Sequence, residues 1–261
     1  MTSVGMSNTC FVKLYQGDTV EDRPASAFDE YFESSFKHGN ILTPEHYEKM
    51  AQAFDAFYGS ILPQDKKTSF LDIGCGAGHF LYYLAKKGYG DFLGIDVSAQ
   101  QIDYCKKNIS GNVQCADAFK FLNEKVDSYD VITAHDVLEH IPKHKSVQFV
   151  QLIYSALKSK GTSIMRMPNM SNPFSLISRY NDFTHEIGFT EKSLYQLLWL
   201  GGFRNIEVLP AGKITVRTFR NGARKILLKV LHGFIKFSYY VQDFTVPENL
   251  DKNLVVVARK E

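Results

Sequence analysis

The sequence has no CxxC pair among its four cysteines, Cys10, Cys75, Cys105 and Cys115, so cysteine spacing builds no zinc site. It has no apolar run of about 18 residues, so nothing in it reads as a membrane-crossing helix. Internal repeats and low-complexity tracts are missing, which argues against solenoids and disordered arrays. Net charge is nearly absent, +2 over 261 residues. No global field therefore selects nucleic acid or an acidic partner. The opening MTSVGMSNTC has no basic stretch followed by an apolar one. A secretory signal is not expected there, and a cytoplasmic location with reduced thiols is.

What is present is an ordinary globular composition, 44% hydrophobic, enough for a full core. Residues 1–25 lack periodicity and read as an arm. The pattern from Ala27 to Gly59 is helical, with PEHYEKMAQAFDAFYG opening on Pro44 and closing at Gly59. Residues 1–60 are expected to form this arm and a helical cap, whose Phe28, Tyr31, Phe32 and Phe36 make an aromatic stripe, core-facing or lid-like. From residue 61 onward, short apolar runs alternate with helical patterns: SFLDIG, DFLGID, NVQCA, YDVITAH and TSIMRMP are the strands. HKSVQFVQLIYSALKSKG reads as a helix throughout. The alternation predicts an α/β chain with parallel strands, right-handed crossovers and helices on both faces. GFRNIEVLP and NLVVVARK read as two closing strands joined without the usual crossover, so the last is expected to be antiparallel.

The stretch FLDIGCGAGHF carries Gly74, Gly76 and Gly78 between a strand and a helix, the place where a nucleotide is received. The dinucleotide spacing G-x-G-x-x-G fails, because its third glycine would fall on His79. No Gly-Lys-Ser/Thr follows, so it is not a P-loop. Asp72, two residues before the first glycine, would repel a pyrophosphate. It suits a ligand bearing an ammonium and a sulfonium, and S-adenosylmethionine carries both. Asp96 ends the next strand, where a carboxylate accepts from ribose hydroxyls. Asp117 ends the third, in reach of an adenine amino group or simply capping a helix.

LDIGCGAGHF, GIDVS, CADAF and HDVLEHIP, in this order, resemble the class I S-adenosylmethionine-dependent methyltransferases over Thr68–Pro168. The resemblance implies a Rossmann-like seven-stranded sheet of order 3-2-1-4-5-7-6. It also implies a cofactor pocket built from Asp72, Gly74, Cys75, Gly76, Gly78, Asp96, Val97, Asp117, Ala118, His135, Asp136 and Val137, with S-adenosylhomocysteine as the product. RYNDFTHEIGFTEKSLYQLLWLGGF is similar to a narrower group, methyltransferases of bacterial surface-polysaccharide biosynthesis. That likeness implies a sugar or sugar-nucleotide acceptor.

The loop 166–190 leaves the ligand-binding end of the fifth strand and is the expected substrate loop, with Arg166, Asn169, Tyr180 and Glu186 facing the acceptor. A sugar hydroxyl needs a base near neutrality, which a histidine supplies. His185 is the expected base, Asp182 its orienter and His140 the second choice. No metal ligands are expected. Thr190 is expected to cap a helix ending near Gly201 and Gly202.

Between Glu207 and Asp243 there is no acidic residue, while Lys213, Arg217, Arg220, Arg224, Lys225, Lys229 and Lys236 add seven positive charges. This basic helical insertion, 211–243, either packs on the sheet or rests, through 213–241, on an anionic membrane surface. A lipid or quinone-like acceptor, and a catalytically inactive cofactor-binding protein, are the alternatives to the sugar enzyme.

Overall fold

The structure is a computed structural model that describes residues 42–210 and 219–261. The arm, the stripe from Phe28 to Phe36, and Lys213 and Arg217 lie outside the described residues. Helix α1 (Pro44–Tyr58) has Pro44 in its first turn, where no N–H is needed, and Thr43 accepts from His46 N as its cap. The chain then runs β1 (Phe70–Ile73), α2 (His79–Lys86), β2 (Phe92–Asp96), α3 (Ala99–Asn108), β3 (Val113–Cys115), α4 (Ala118–Asn123) and β4 (Tyr129–His135). A 3-10 turn (Leu138–His140), α5 (Lys143–Ala156) and β5 (Leu157–Pro168) follow. A second 3-10 turn (Pro173–Ser175), α6 (Leu176–Tyr180), α7 (Glu191–Leu200), β6 (Asn205–Pro210), α8 (Phe219–Val241) and β7 (Asn253–Arg259) complete it.

The seven strands form one sheet of order β3-β2-β1-β4-β5-β7-β6, the order that the family resemblance implies. β7 is antiparallel to both of its neighbours. Its residues alternate between two cores. Val255 and Val257 join Phe54 and Tyr58 of α1, Leu81 of α2 and Ile102 of α3. Leu254, Val256 and Ala258 join Leu122 of α4, Phe149 and Ile153 of α5, and Leu194 of α7 on the opposite face. Strands covered on both faces must be apolar throughout, which is why these runs lack polar alternation.

Two expectations are corrected here. The helix of HKSVQFVQLIYSALKSKG stops at Ala156, and Leu157–Gly161 is already strand. A bulge opposite Tyr129 and Val131 absorbs the change, with Lys160 at φ 63. Lys158 there reaches Asp130 at 2.9 Å and Ser69 Oγ at 3.0 Å, contacts that a helix would not permit.

The second concerns Asn169, expected to face substrate. It is fully buried, and its amide donates to the carbonyls of Asn249 and Asp251, each at 3.0 Å, while its Oδ1 accepts from Ser171 N at 2.9 Å. Asn169 is a bracket that ties the exit of β5 to the entry of β7. Replacing it by alanine would orphan two carbonyls and an N–H, each a buried polar group without a partner. Asn169→Ala is expected to cost about 2–4 kcal/mol in denaturant unfolding; a loss under about 0.5 kcal/mol would refute the bracket.

Candidate functional site

The glycine turn joins β1 to α2 at the carboxyl end of the parallel strands. Gly74 has φ 68, and a Cβ there would lie 2.4 Å from Val137 Cγ2. Gly78 has φ 85, and its Cβ would meet Cys105 Sγ at the same distance. Both the dihedrals and the space therefore require glycine. The turn is tied to β2: Gly74 N and Cys75 N donate to Ile95 O at 2.8 and 3.0 Å, and Gly76 N donates to Asp96 Oδ2 at 2.9 Å. The other oxygen of Asp96 accepts from Ser98 N at 2.8 Å. Burial raises the Asp96 carboxyl above its ordinary value, against the pull of these N–H donors. Val97 beside it is 45% exposed. From above, α1 covers the turn: Tyr47 Oη donates to Ala77 O at 2.8 Å and its ring stacks on His79 at 4.4 Å.

Asp72 lies beneath the turn, 2% exposed. Thr133 Oγ1 donates to its Oδ1 at 2.7 Å, a contact set by the register that puts Asp72 opposite Thr133. Burial pushes the Asp72 carboxyl up to about 7, with the Asp96 charge adding to it. His135 Nδ1 is 3.9 Å away. Burial holds that imidazole well below its ordinary pKa, so it is neutral, surrounded by Phe54, Tyr58 and Phe80. A carboxylate held so high fits a cationic ligand, whose charge would favour its ionised form.

Asp117 caps α4, its Oδ1 accepting from Lys120 N at 2.9 Å, with Ala118 as the first helical residue. Asp136 sits at φ 56 and pairs in bidentate fashion with Arg166. The Arg166 guanidinium, expected to meet substrate, is thus engaged by Asp136.

The loop after α6 is held by backbone. Glu186 N and Ile187 N donate to Glu139 O at 2.8 and 3.2 Å, and Arg179 donates to the carbonyls of His185 and Glu186. This clasp brings His185 to His140, ring centroids 4.6 Å apart. His185 Nδ1 donates to Ser178 O at 2.7 Å, so Nε2 is its basic nitrogen. Asp182, expected to orient His185, instead accepts from Thr184 N at 2.9 Å and Thr184 Oγ1 at 2.6 Å. Thr184 Oγ1, its proton spent, accepts from His140 Nδ1 at 2.9 Å. Asp182 therefore acts on His140, through Thr184. Burial and the neighbouring His185 push His140 down to about 4. Tyr180 is 76% exposed, and Glu186 is exposed as well.

Sequence reasoning missed Glu139. It is 2% exposed, neither carboxylate oxygen has a hydrogen-bond partner, and burial raises its carboxyl well above the ordinary range. One ligand atom from each of Glu139, His140 and His185 lies within 4.8 Å of the others, although the sequence pointed to no metal ligands. The adjacent Glu-His of VLEHIP was the only signal in the sequence.

Asp72 yields a pH dependence. The folded protein holds the Asp72 proton where the unfolded chain, with its pKa of 3.8, has lost it. This group's contribution to stability therefore falls as pH rises from about 4 to about 7. Asp72→Asn keeps an acceptor for Thr133 and removes the charge. The ligand-free variant is expected to be more stable than the parent at pH 8 by roughly 2–4 kcal/mol, with the gap closing near pH 4. Thermal unfolding across this range measures it, and a gap independent of pH would refute it.

The methyltransferase domain family matches residues 64–202, more than half of the chain. The chain is 26% identical over 204 residues to a ubiquinone biosynthesis O-methyltransferase of Actinobacillus pleuropneumoniae, covering 75% of this chain and 73% of that one. A protein of the same name from Coxiella burnetii is 36% identical over 82 residues, 30% of this chain and 34% of that one; the match spans about a third of that relative's length. Among solved structures, an S-adenosylmethionine-dependent methyltransferase of Archaeoglobus fulgidus superposes with a TM-score of 0.63 at 21% identity, covering 89% of this chain and all of that one. A possible histamine N-methyltransferase of Thermotoga maritima does so with a TM-score of 0.61 at 15% identity, covering 90% and 99%. By its matched domain, its fold and its glycine turn, the chain belongs to the S-adenosylmethionine-dependent methyltransferase domain family.

Proposed function

We propose that this methyltransferase acts on a hydroxyl of an apolar, quinone-like acceptor that it meets at an anionic membrane surface. The observation that carries the proposal is the outer face of α8. Ile226, Val230, Phe234, Phe237 and Val241 are each 61–68% exposed. At about 100° per residue they share an arc about 80° wide. The opposite side of the helix is the packed one: Ile235 is 6% exposed, and Tyr239 Oη donates to Ser171 O at 3.0 Å. Lys225, Lys229 and Lys236 flank the apolar arc on one side, Arg220 and Arg224 on the other. An apolar stripe between two basic edges is the pattern of a helix lying in a membrane interface. No helix of the described residues is long and apolar enough to cross a membrane.

The same surface continues toward the site. Between α8 and the second 3-10 turn lies a cavity of about 420 Å³ lined by Phe174, Leu231, Phe234 and Phe244 among others. Leu176, Ile177, Tyr180 and Phe183 follow that turn, each more than half exposed, and lead directly to His185. The names of the Actinobacillus and Coxiella relatives agree with a quinone-like acceptor. Neither those names nor this surface adds support to the sugar acceptor.

When bound at the glycine turn, S-adenosylmethionine supplies an electrophilic methyl group. The chain has to align a hydroxyl opposite the sulfur and deal with its proton. Asp72 and Asp96 suit the cofactor's positive charge and its ribose, and the His140–His185 pair stands where β4 and the substrate loop meet. A phenolic hydroxyl, with a pKa of about 10 like that of tyrosine, is easier to ionise than a sugar hydroxyl.

Flotation with vesicles tests the reading. The protein is expected to float with vesicles containing anionic phosphatidylglycerol at low ionic strength and to be released by salt. Phe234→Ser combined with Phe237→Ser should weaken flotation about 10-fold or more, since two large apolar side chains lose their burial. Failure of the parent protein to float at low salt would exclude the membrane.

A further inference from the structure

We infer that the cavity between α8 and the second 3-10 turn binds a hydrocarbon chain, the apolar tail of the acceptor, whose head then lies at the His140–His185 pair. Its volume of about 420 Å³ falls in the usual range of small-ligand sites, roughly 300–1,000 Å³. The walls are Phe174 from the turn, Leu231, Phe234 and Ile235 from α8, and Phe244 just beyond it. Among the described residues no charged side chain lines it. Three polar side chains do, and each turns a donor to a main-chain carbonyl. Tyr239 Oη donates to Ser171 O at 3.0 Å, Ser238 Oγ to Phe234 O at 3.0 Å and Gln242 Nε2 to Ser238 O at 3.3 Å. The walls therefore recognise a guest by apolar contact. A hydrocarbon gains by leaving water here, whereas a polar guest would lose hydrogen bonds that the walls do not replace.

The place of the cavity points to the acceptor as the source of the chain. Phe174 in its wall stands four residues before Ser178, whose carbonyl accepts from His185 Nδ1 at 2.7 Å. Four helical residues span only about 6 Å along the axis. Between them Leu176 and Ile177 are 59% and 62% exposed, an apolar track from the cavity to the histidines. At its far end the loop carries Asp182 and Glu186 on either side of His185. The Arg179 guanidinium beside them is taken up by the carbonyls of His185 and Glu186. An anionic phospholipid headgroup would be repelled by those carboxylates, and a neutral phenol would not. On α8 the cavity side adjoins the outer stripe, because Phe234 belongs to both. A tail can thus pass from the membrane interface to the cavity without crossing a polar surface. That the chain belongs to the acceptor rests on the quinone-like reading above; that the cavity takes a hydrocarbon does not.

The test uses the full chain and no vesicles. First, 1-decanol is titrated by calorimetry without cofactor, with 1-butanol as the short control. One saturable site per chain is expected, with a negative heat-capacity change and an affinity about 100-fold or more above that of 1-butanol. Ser238→Trp and Leu231→Trp each put an indole into the cavity and should weaken decanol binding by about 10-fold or more. Circular dichroism and S-adenosylmethionine binding check that both variants are folded. Second, methyl transfer to catechol is compared with transfer to 4-decylcatechol. In the parent, kcat/KM should favour the decyl compound by about 100-fold, mostly through KM. In either variant that ratio should fall to about 10-fold or less. No saturable decanol binding, or equal binding by parent and both variants, would overturn the cavity as a site. Decanol binding without a chain-length advantage in turnover would give the cavity to a lipid chain and overturn the acceptor's tail. Decanol binding with no turnover on either catechol would refute the phenolic acceptor, and the source of the tail with it, while the hydrocarbon site stood.

Discussion

The site depends on the double pairing of β1. It is hydrogen-bonded in parallel to β2 on one side and β4 on the other, with Asp72 opposite Gly94 and Thr133. Parallel pairing puts the carboxyl ends of all three strands at one edge, where backbone N–H groups and carboxylates crowd together. β2 then holds the glycine turn through Ile95 O and Asp96, and β4 delivers Asp136 and the 3-10 turn of Glu139 and His140. A slip of one residue between β1 and β4 would reverse which side chains face the helices and separate Asp72 from Thr133.

Much of this frame was legible in the sequence, because it depends on local chemistry. The apolar runs of doubly covered strands, Pro44 in a first turn and Thr190 as a cap each have a signature within a few residues. Thr190 does accept from Ser193 N, and Ser193 Oγ returns the bond to Thr190 N, closing a capping box. The end of α5 was not legible. Its 3.6-residue periodicity continues through LKSK, and the helix yields there only because β4 offers Leu157 a partner strand.

The site was less legible for the same reason. Asp96 is placed by strand length alone, so spacing found it. The orientation of His185 depends on a main-chain carbonyl, that of Ser178, and carbonyls have no residue signature. Nearness in sequence makes Asp182 the expected partner of His185. The loop instead turns Thr184 toward His140, and the carboxylate follows it. Asn169 looked like a polar residue on a ligand-facing loop, yet its amide matches two carbonyls some 80 positions later in the chain. Glu139 needed both facts at once: that a turn buries it, and that a distant loop brings a second histidine beside it.

Charge is segregated in this chain more sharply than its net value of +2 suggests. The seven basic residues from Lys213 to Lys236 leave all the rest with a formal charge of −5. At the ligand-binding edge Asp72, Asp96, Asp136, Glu139 and Asp182 gather, and the guanidinium of Arg166 is engaged by Asp136. Burial alone would drive such carboxyls toward protonation, and it does raise Asp72, Asp96 and Glu139. Holding several acids in this state costs stability that a purely structural edge has no reason to spend. A positive ligand would offset the cost, as the sulfonium of the cofactor would at Asp72 and Asp96. The basic helix meets the complementary condition: its charges lie along the margins of an exposed apolar stripe, where an anionic surface would satisfy both. The acids are thus gathered where the cofactor's positive charge would meet them, while the exposed apolar stripe and its basic margins lie on a separate helix, α8.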